Sequence, residues 1–150
     1  MTILMLSGNP PVKVAWDKLL DAIAYTETRK DHTAVGKHGE RGAWQMRHPS
    51  WQDVNDWRVQ NNLVAHPFDK AHDAIIAREY ASRYAGILYM RLVRALGCDP
   101  TVQQLWACWN LGFGGFKRLT FDIARVQNST KRGLARLESY IRNIQPHVNT

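Results

Sequence analysis

The segment "DPTVQQLWACWNLG", residues 99–112, constrains the fold more than any other stretch of the chain. Val102, Leu105, Trp106, Ala107, Cys108 and Trp109 leave almost no polar face, and a helix that is apolar nearly all round is stable only when other elements cover it. Asp99 as N-cap, Pro100 at the first helical position and Gly112 as the stop delimit it. The segment therefore predicts the buried centre of a mostly helical domain. A chain of 150 residues can bury about two thirds of its unfolded surface, so no disulfide or metal is needed to hold it.

Five further helices are expected around that centre. Trp16, Leu19, Leu20, Ile23 and Glu27 recur at the spacing of one helical face, which puts Glu27 on the apolar stripe of a first helix. The stretch "DHTAVGKHGERGA" that follows holds three glycines and no helical period, predicting a small irregular or β-hairpin element. "PSWQDVNDWRVQNN" opens on Pro and Ser and predicts a short capped helix with Trp51, Val54 and Trp57 inward. The longest helix lies within residues 66–97, its stripe carried by Ile76, Tyr80, Tyr84, Ile87, Leu88 and Leu92 and its end marked by Gly97. Two more helices, at about residues 115–126 and 131–144, close the chain. Residues 1–12 read as a short tail, and the absence of repeats or linkers predicts one α+β, mostly α, domain over residues 1–150.

The composition, 45% hydrophobic and 22% charged, is that of a globular domain, and no segment reaches the run of about 20 apolar residues that spans a bilayer. The apolar run in "MTILMLSGNPP" is too short for a signal-peptide core. Delivery to an extracellular target would then rest on a phage pore, a virion, a secretion system or another route. Cys98 and Cys108 fall in expected helices with no CxxC spacing, which predicts two buried, reduced thiols. His38, His48 and His66 lie in separate loops without ligand spacing, so neither a metal nor a cofactor is expected. A net charge of +7 implies an anionic partner: nucleic acid, an anionic lipid surface or an anionic wall polymer. The basic residues are spread from Lys13 to Arg142 with no nucleic-acid signature, which makes nucleic acid the weaker choice.

Glu27 carries the chemistry. A carboxyl on an apolar helix face is desolvated, its pKa rises, and it becomes suited to act as a general acid near neutral pH. Its surroundings are specific: "YTETR", "GERGAWQM", "PFDKAHDAIIAREYASRY", "ACWNLGFGG" and "ESYIRNI" follow one another in that order. This series resembles the lysozyme-like domain of lytic transglycosylases and goose-type lysozymes, with its ES, GxxQ, long-helix Tyr, AYNAG and YV motifs. The resemblance covers about residues 15–145.

That resemblance implies a lysozyme-like fold and cleavage of the β-1,4 bond between N-acetylmuramic acid and N-acetylglucosamine in peptidoglycan. Glu27 matches the catalytic acid, with Thr28 where the family has Ser. Trp44, Gln45 and Met46 match the turn lining the cleft floor. Tyr80 matches the long-helix Tyr, with Asp73 for the family's Asn and Ala77 for its Gly. Trp109, Asn110 and Gly112 match AYNAG, and Tyr140 the Tyr of YV. A hydrolase also needs a second carboxylate; Glu40, in the segment expected to face the first helix, is the candidate. A transglycosylase needs none, and "CWNLG" with Tyr140 tilts the resemblance toward that branch. The expected partner is a glycan strand, bound by a monomer. A non-catalytic protein holding wall glycan or nucleic acid on the same fold is the alternative.

Overall fold

The structure, a computed structural model, describes residues 3–144. It is mostly α. Two strands, β1 (Ile3–Leu6) and β2 (Val12–Ala15), pair antiparallel with Leu4 opposite Val14. They lead directly into α1 (Trp16–Thr28), followed by α2 (His48–Gln60), α3 (Ala74–Leu96), α4 (Val102–Leu111), α5 (Phe113–Arg118) and α6 (Asn128–Ile144). Among the described residues, no helix is long and apolar enough to cross a membrane.

The tail expected over residues 1–12 is corrected: residues 3–15 form a hairpin that belongs to the core. Leu4, Leu6 and Val14 are buried while Ile3 and Met5 face outward, the alternation of a half-covered strand pair. Because "ILML" is apolar throughout, that alternation is invisible in sequence. Gln103, buried on α4, anchors the hairpin. Its side chain accepts from the Ser7 N–H at 3.3 Å and donates to the Ser7 carbonyl at 2.9 Å.

The central position of α4 is as expected. Val102, Leu105, Trp106, Ala107 and Cys108 are buried, and the helix touches β1, α3, α5 and α6. Its cap differs from the expectation. Thr101 closes a capping box with Gln104, each side chain bonding the other's backbone N–H, while Asp99 instead accepts from the Tyr89 hydroxyl at 2.7 Å. Cys98 lies exposed in the turn after α3, and only Cys108 is the buried thiol that was expected. The expected helix at 115–126 is interrupted: α5 stops at Arg118, and Thr120 and Phe121 take positive φ before a 3-10 turn at Ile123–Arg125. This bend folds the Phe121 ring back onto Phe113 and Phe116, both at 5.5 Å, burial that offsets a strained backbone.

The element after α1 is an irregular hairpin, held by single bridges from Val35 to Arg41 and from Arg41 to Met46. Two side chains tie it to α1. Trp44 is buried, and its indole N–H donates to the Leu20 carbonyl at 2.9 Å. The Thr28 hydroxyl donates to the Ala43 carbonyl at 2.8 Å, a bond that a Ser in its place would also make. Gly42 completes the docking with φ 76°, and a Cβ there would collide with the Ala71 carbonyl. Gly42→Ala should therefore destabilise the protein by about 2–4 kcal/mol through left-handed strain and backbone overlap. Urea unfolding at 25 °C measures it, and a loss below the ~0.5 kcal/mol scale of ordinary surface changes would contradict this packing.

Candidate active site

The stripe of α1 runs as the sequence predicts, with Leu19, Leu20 and Ile23 buried. Glu27 sits in the last turn, half-buried, at the wall of a cleft of about 370 Å³. Across the cleft the hairpin contributes Gly36, Glu40, Gln45 and Met46, and the end of α4 contributes Trp109 and Asn110. Six residues expected at the site thus meet there: Glu27, Glu40, Gln45, Met46, Trp109 and Asn110.

Three expected residues lie elsewhere. Trp44 is 4% exposed and its indole N–H is committed to Leu20, so it packs beneath the hairpin and does not line the cleft. Tyr80 is fully buried, stacked on Trp51 at 3.7 Å, with its hydroxyl shared between Asn55 and the His66 N–H. It holds the 61–67 loop to α2 and does not reach the cleft. Tyr140 lines a separate depression between α1 and α6, which Glu27 also borders, and stacks on Tyr25 at 4.7 Å. Tyr84, one helical turn further along α3, is the tyrosine of that helix that borders the cleft, edge-on to Trp109 at 5.3 Å. Sequence reasoning had placed Tyr84 on the right stripe without separating it from Tyr80. It also missed Arg47 and Ser50, which line the same wall.

The two carboxyls differ in their surroundings. Burial, reinforced by the negative charge of Glu40, raises the Glu27 pKa from 4.5 to about 7, while the positive charges of Arg136 and Arg47 pull the other way without overcoming it. For Glu40, burial also disfavours charge. Hydrogen bonds from its own backbone N–H and from that of His38, with the charges of Arg47 and His38, outweigh burial and hold it below the ordinary carboxylate value. The His38 N–H reaches Oε2 at 2.9 Å, and Arg47 Nε stands 3.8 Å from Oε1. Near neutral pH one cleft therefore presents a carboxylic acid beside a carboxylate, the split that separates acid from base roles. Among the described residues no ion pair engages Glu27, and no group of three metal-ligating side chains forms.

Comparisons with protein-family models, curated proteins and solved structures return no match to this chain. The class defined by fold and site is a mostly helical protein with a two-glutamate cleft.

Glu27 retains its proton to about pH 7 in the folded protein but releases it near 4.5 in the unfolded chain. Between those values the native state binds more protons, so this group's contribution to stability falls as pH rises. Glu27→Gln removes the effect: relative to wild type, it should gain about 1–3 kcal/mol between pH 4 and pH 8. Denaturant unfolding at both pH values reads the difference, and a pH-independent offset would mean that Glu27 is not desolvated.

Proposed function

We propose that the protein cleaves the β-1,4 glycosidic bond between N-acetylmuramic acid and N-acetylglucosamine in peptidoglycan. The observation that carries this reading is the pairing, across one open cleft, of a protonated Glu27 with an ionised Glu40. Glycoside hydrolysis needs these two states together. Glu27 donates its proton to the leaving oxygen, and Glu40 draws a proton from the attacking water as its oxygen bonds to the anomeric carbon. The sum is one bond hydrolysed and a new reducing end. Trp109, backed by the buried Tyr84, offers an aromatic face for a sugar ring, and Gln45 and Asn110 offer amides for hydroxyls and acetamido groups. Asn110 is itself oriented, its Oδ1 accepting from the buried Thr130 hydroxyl at 2.7 Å.

The motif order supports the same substrate, and its tilt toward the transglycosylase branch defines the competing route. There Glu27 works alone, first as acid and then as base, and the sugar's own hydroxyl closes an anhydro ring. The hydrogen bonds and the arginine that keep Glu40 charged favour the two-carboxylate route. A non-catalytic binder would have no use for an acid that lines the cleft and, among the described residues, forms no ion pair.

Glu27→Gln should keep the fold and lose at least about two orders of magnitude in peptidoglycan turnover. Glu40→Gln should lose nearly as much, and mass spectrometry of wild-type products should find reducing ends, one water heavier than anhydro ends. Anhydro products from an active Glu40→Gln variant would overturn the hydrolytic route in favour of the single-glutamate one. Wild-type turnover by Glu27→Gln would sink both. Gly36 supplies a further check, because a Cβ on it would collide with Glu40 Oε2 and Gln45 Oε1. The ends of those side chains can swing away, so Gly36→Ala should fold normally yet lose about 10²-fold in rate by displacing the carboxylate. Turnover within twofold of wild type would show that Glu40 need not be held there.

A further inference from the structure

A groove of about 580 Å³ lies where α1, α2 and α3 meet, and none of its lining residues belongs to the cleft. Asp17, at its edge, stands about three turns of α1 before Glu27. Leu20 and Trp57 form an apolar floor, and Leu63 and Ile75 stand at the rim, 44% and 75% exposed. Val59 and Val64 are exposed beside them, Val64 through a carbonyl that accepts from Arg58 at 2.6 Å. Single exposed apolar side chains are ordinary on a protein surface, but a cluster of them around a groove marks a face that another body covers.

Charge indicates which body. The chain carries +7, yet this face is balanced: Arg58, Arg78 and Arg83 stand against Asp17, Glu79 and Asp21, the last bonded to Arg78 at 2.8 Å. A polyanion is therefore drawn elsewhere, whereas two copies of a basic chain can meet here without repulsion. The charged groups are also unevenly committed. The Arg83 guanidinium lies 3.5 Å from the centre of the Trp57 ring, and no carboxylate among the described residues pairs with it. Glu79 and Asp17, 57% and 80% exposed, meet their arginines only at 3.6 and 3.5 Å, and solvated pairs of that kind contribute little. One face thus presents a free cation and two loosely held carboxylates, together with projecting aliphatic side chains and a hollow to receive them.

We propose that the protein forms a two-fold dimer through this face, where the sequence predicts a monomer. In an isologous contact each copy meets on its partner what the partner meets on it, so the surface must be complementary to itself. Ile75 of each copy enters the groove of the other, and Arg83 of each faces the partner's Glu79 or Asp17. Trp57 and Arg83 are of the residue types that carry most of the binding energy at interfaces. Because the groove and the cleft share no residue, the dimer is independent of the reaction assigned to Glu27.

Sedimentation equilibrium of the full chain from about 1 to about 500 µM, the range over which a small interface dissociates, tests it. Wild type should pass from one chain mass to two over that range. Ile75 is exposed, so Ile75→Glu should keep the far-ultraviolet circular dichroism of wild type. It should raise the dissociation constant at least about tenfold, because each copy then buries an unpaired charge. Arg83→Glu should do the same by setting like charges against each other. Mixing Arg83→Glu with Glu79→Lys or with Asp17→Lys should restore association in one of the two mixtures, since both contacts across the axis are again of opposite sign. A wild type that stays at one chain mass overturns the dimer, as does a dimer that both single variants leave intact or that neither mixture rescues. A monomeric wild type that binds phosphatidylglycerol vesicles, and loses that binding in Ile75→Glu, overturns it too and assigns the face to an anionic membrane surface.

Discussion

The bond from the Trp44 indole to the Leu20 carbonyl fixes the geometry on which the site depends. It is buried, so breaking it would strand a donor and an acceptor without water, at a cost of about 1–3 kcal/mol for each group. Together with the Thr28 hydroxyl on the Ala43 carbonyl, it clamps an otherwise irregular loop to the helix that carries Glu27. The bridges and turn hydrogen bonds inside that loop, Gly36 N–H to the Glu40 carbonyl and Gly42 N–H to the Ala34 carbonyl among them, shape it without reaching α1. Its register against α1 therefore comes from the clamp, and the clamp places Glu40 across from Glu27. Trp44 thus contributes to the site from underneath, as part of its frame.

The helical skeleton was legible because helix faces repeat over many residues. The α1 stripe, the Gly97 stop of the long helix and the near-complete apolarity of α4 all appear in the structure, whereas the long helix begins at Ala74, later than the expected start near residue 66. What escaped was decided by contacts that have no sequence period. The hairpin at residues 3–15 consists of two four-residue strands, too short to show alternation when every residue of the first is apolar. Tyr80 and Tyr84 share one stripe and are one turn apart. Which of them stacks in the core and which reaches the cleft depends on where Trp51 and Trp109 lie, and neither neighbour is near in sequence. The bend at Thr120 and Phe121 has the same origin, since local propensity yields to the aromatic contacts it permits.

The departures from the motifs of the proposed lysozyme-like family are chemically mild where the structure describes their contacts. Asp73, in the place of an Asn, caps α3 by accepting from the Ile75 and Ile76 N–H groups at 3.0 Å, a bond either side chain can accept. Thr28 supplies the same hydroxyl a Ser would. Ala77 is buried without strain in the interior of α3, where Ala is a better helix former than Gly. None of these three positions lines the cleft, whose wall carries Glu27, Gln45, Met46 and Asn110.

A basic protein that holds an acid near pH 7 faces a conflict, because each cation that attracts a polyanion also favours the ionised form of a neighbouring carboxyl. Here the two demands are separated in space. Arg47 and Arg136 act on Glu27, but burial and the charge of Glu40 prevail over them. The last turn of α1 contains no basic residue, and a carboxyl at that position also meets the negative end of the helix dipole, which disfavours its charge. The arginines instead engage the hairpin: Arg47 stands beside Glu40, and Arg41 beside Phe68 and Asp69. Positive charge is thus placed where it keeps Glu40 ionised and where an anionic substrate would approach, while the proton stays on Glu27.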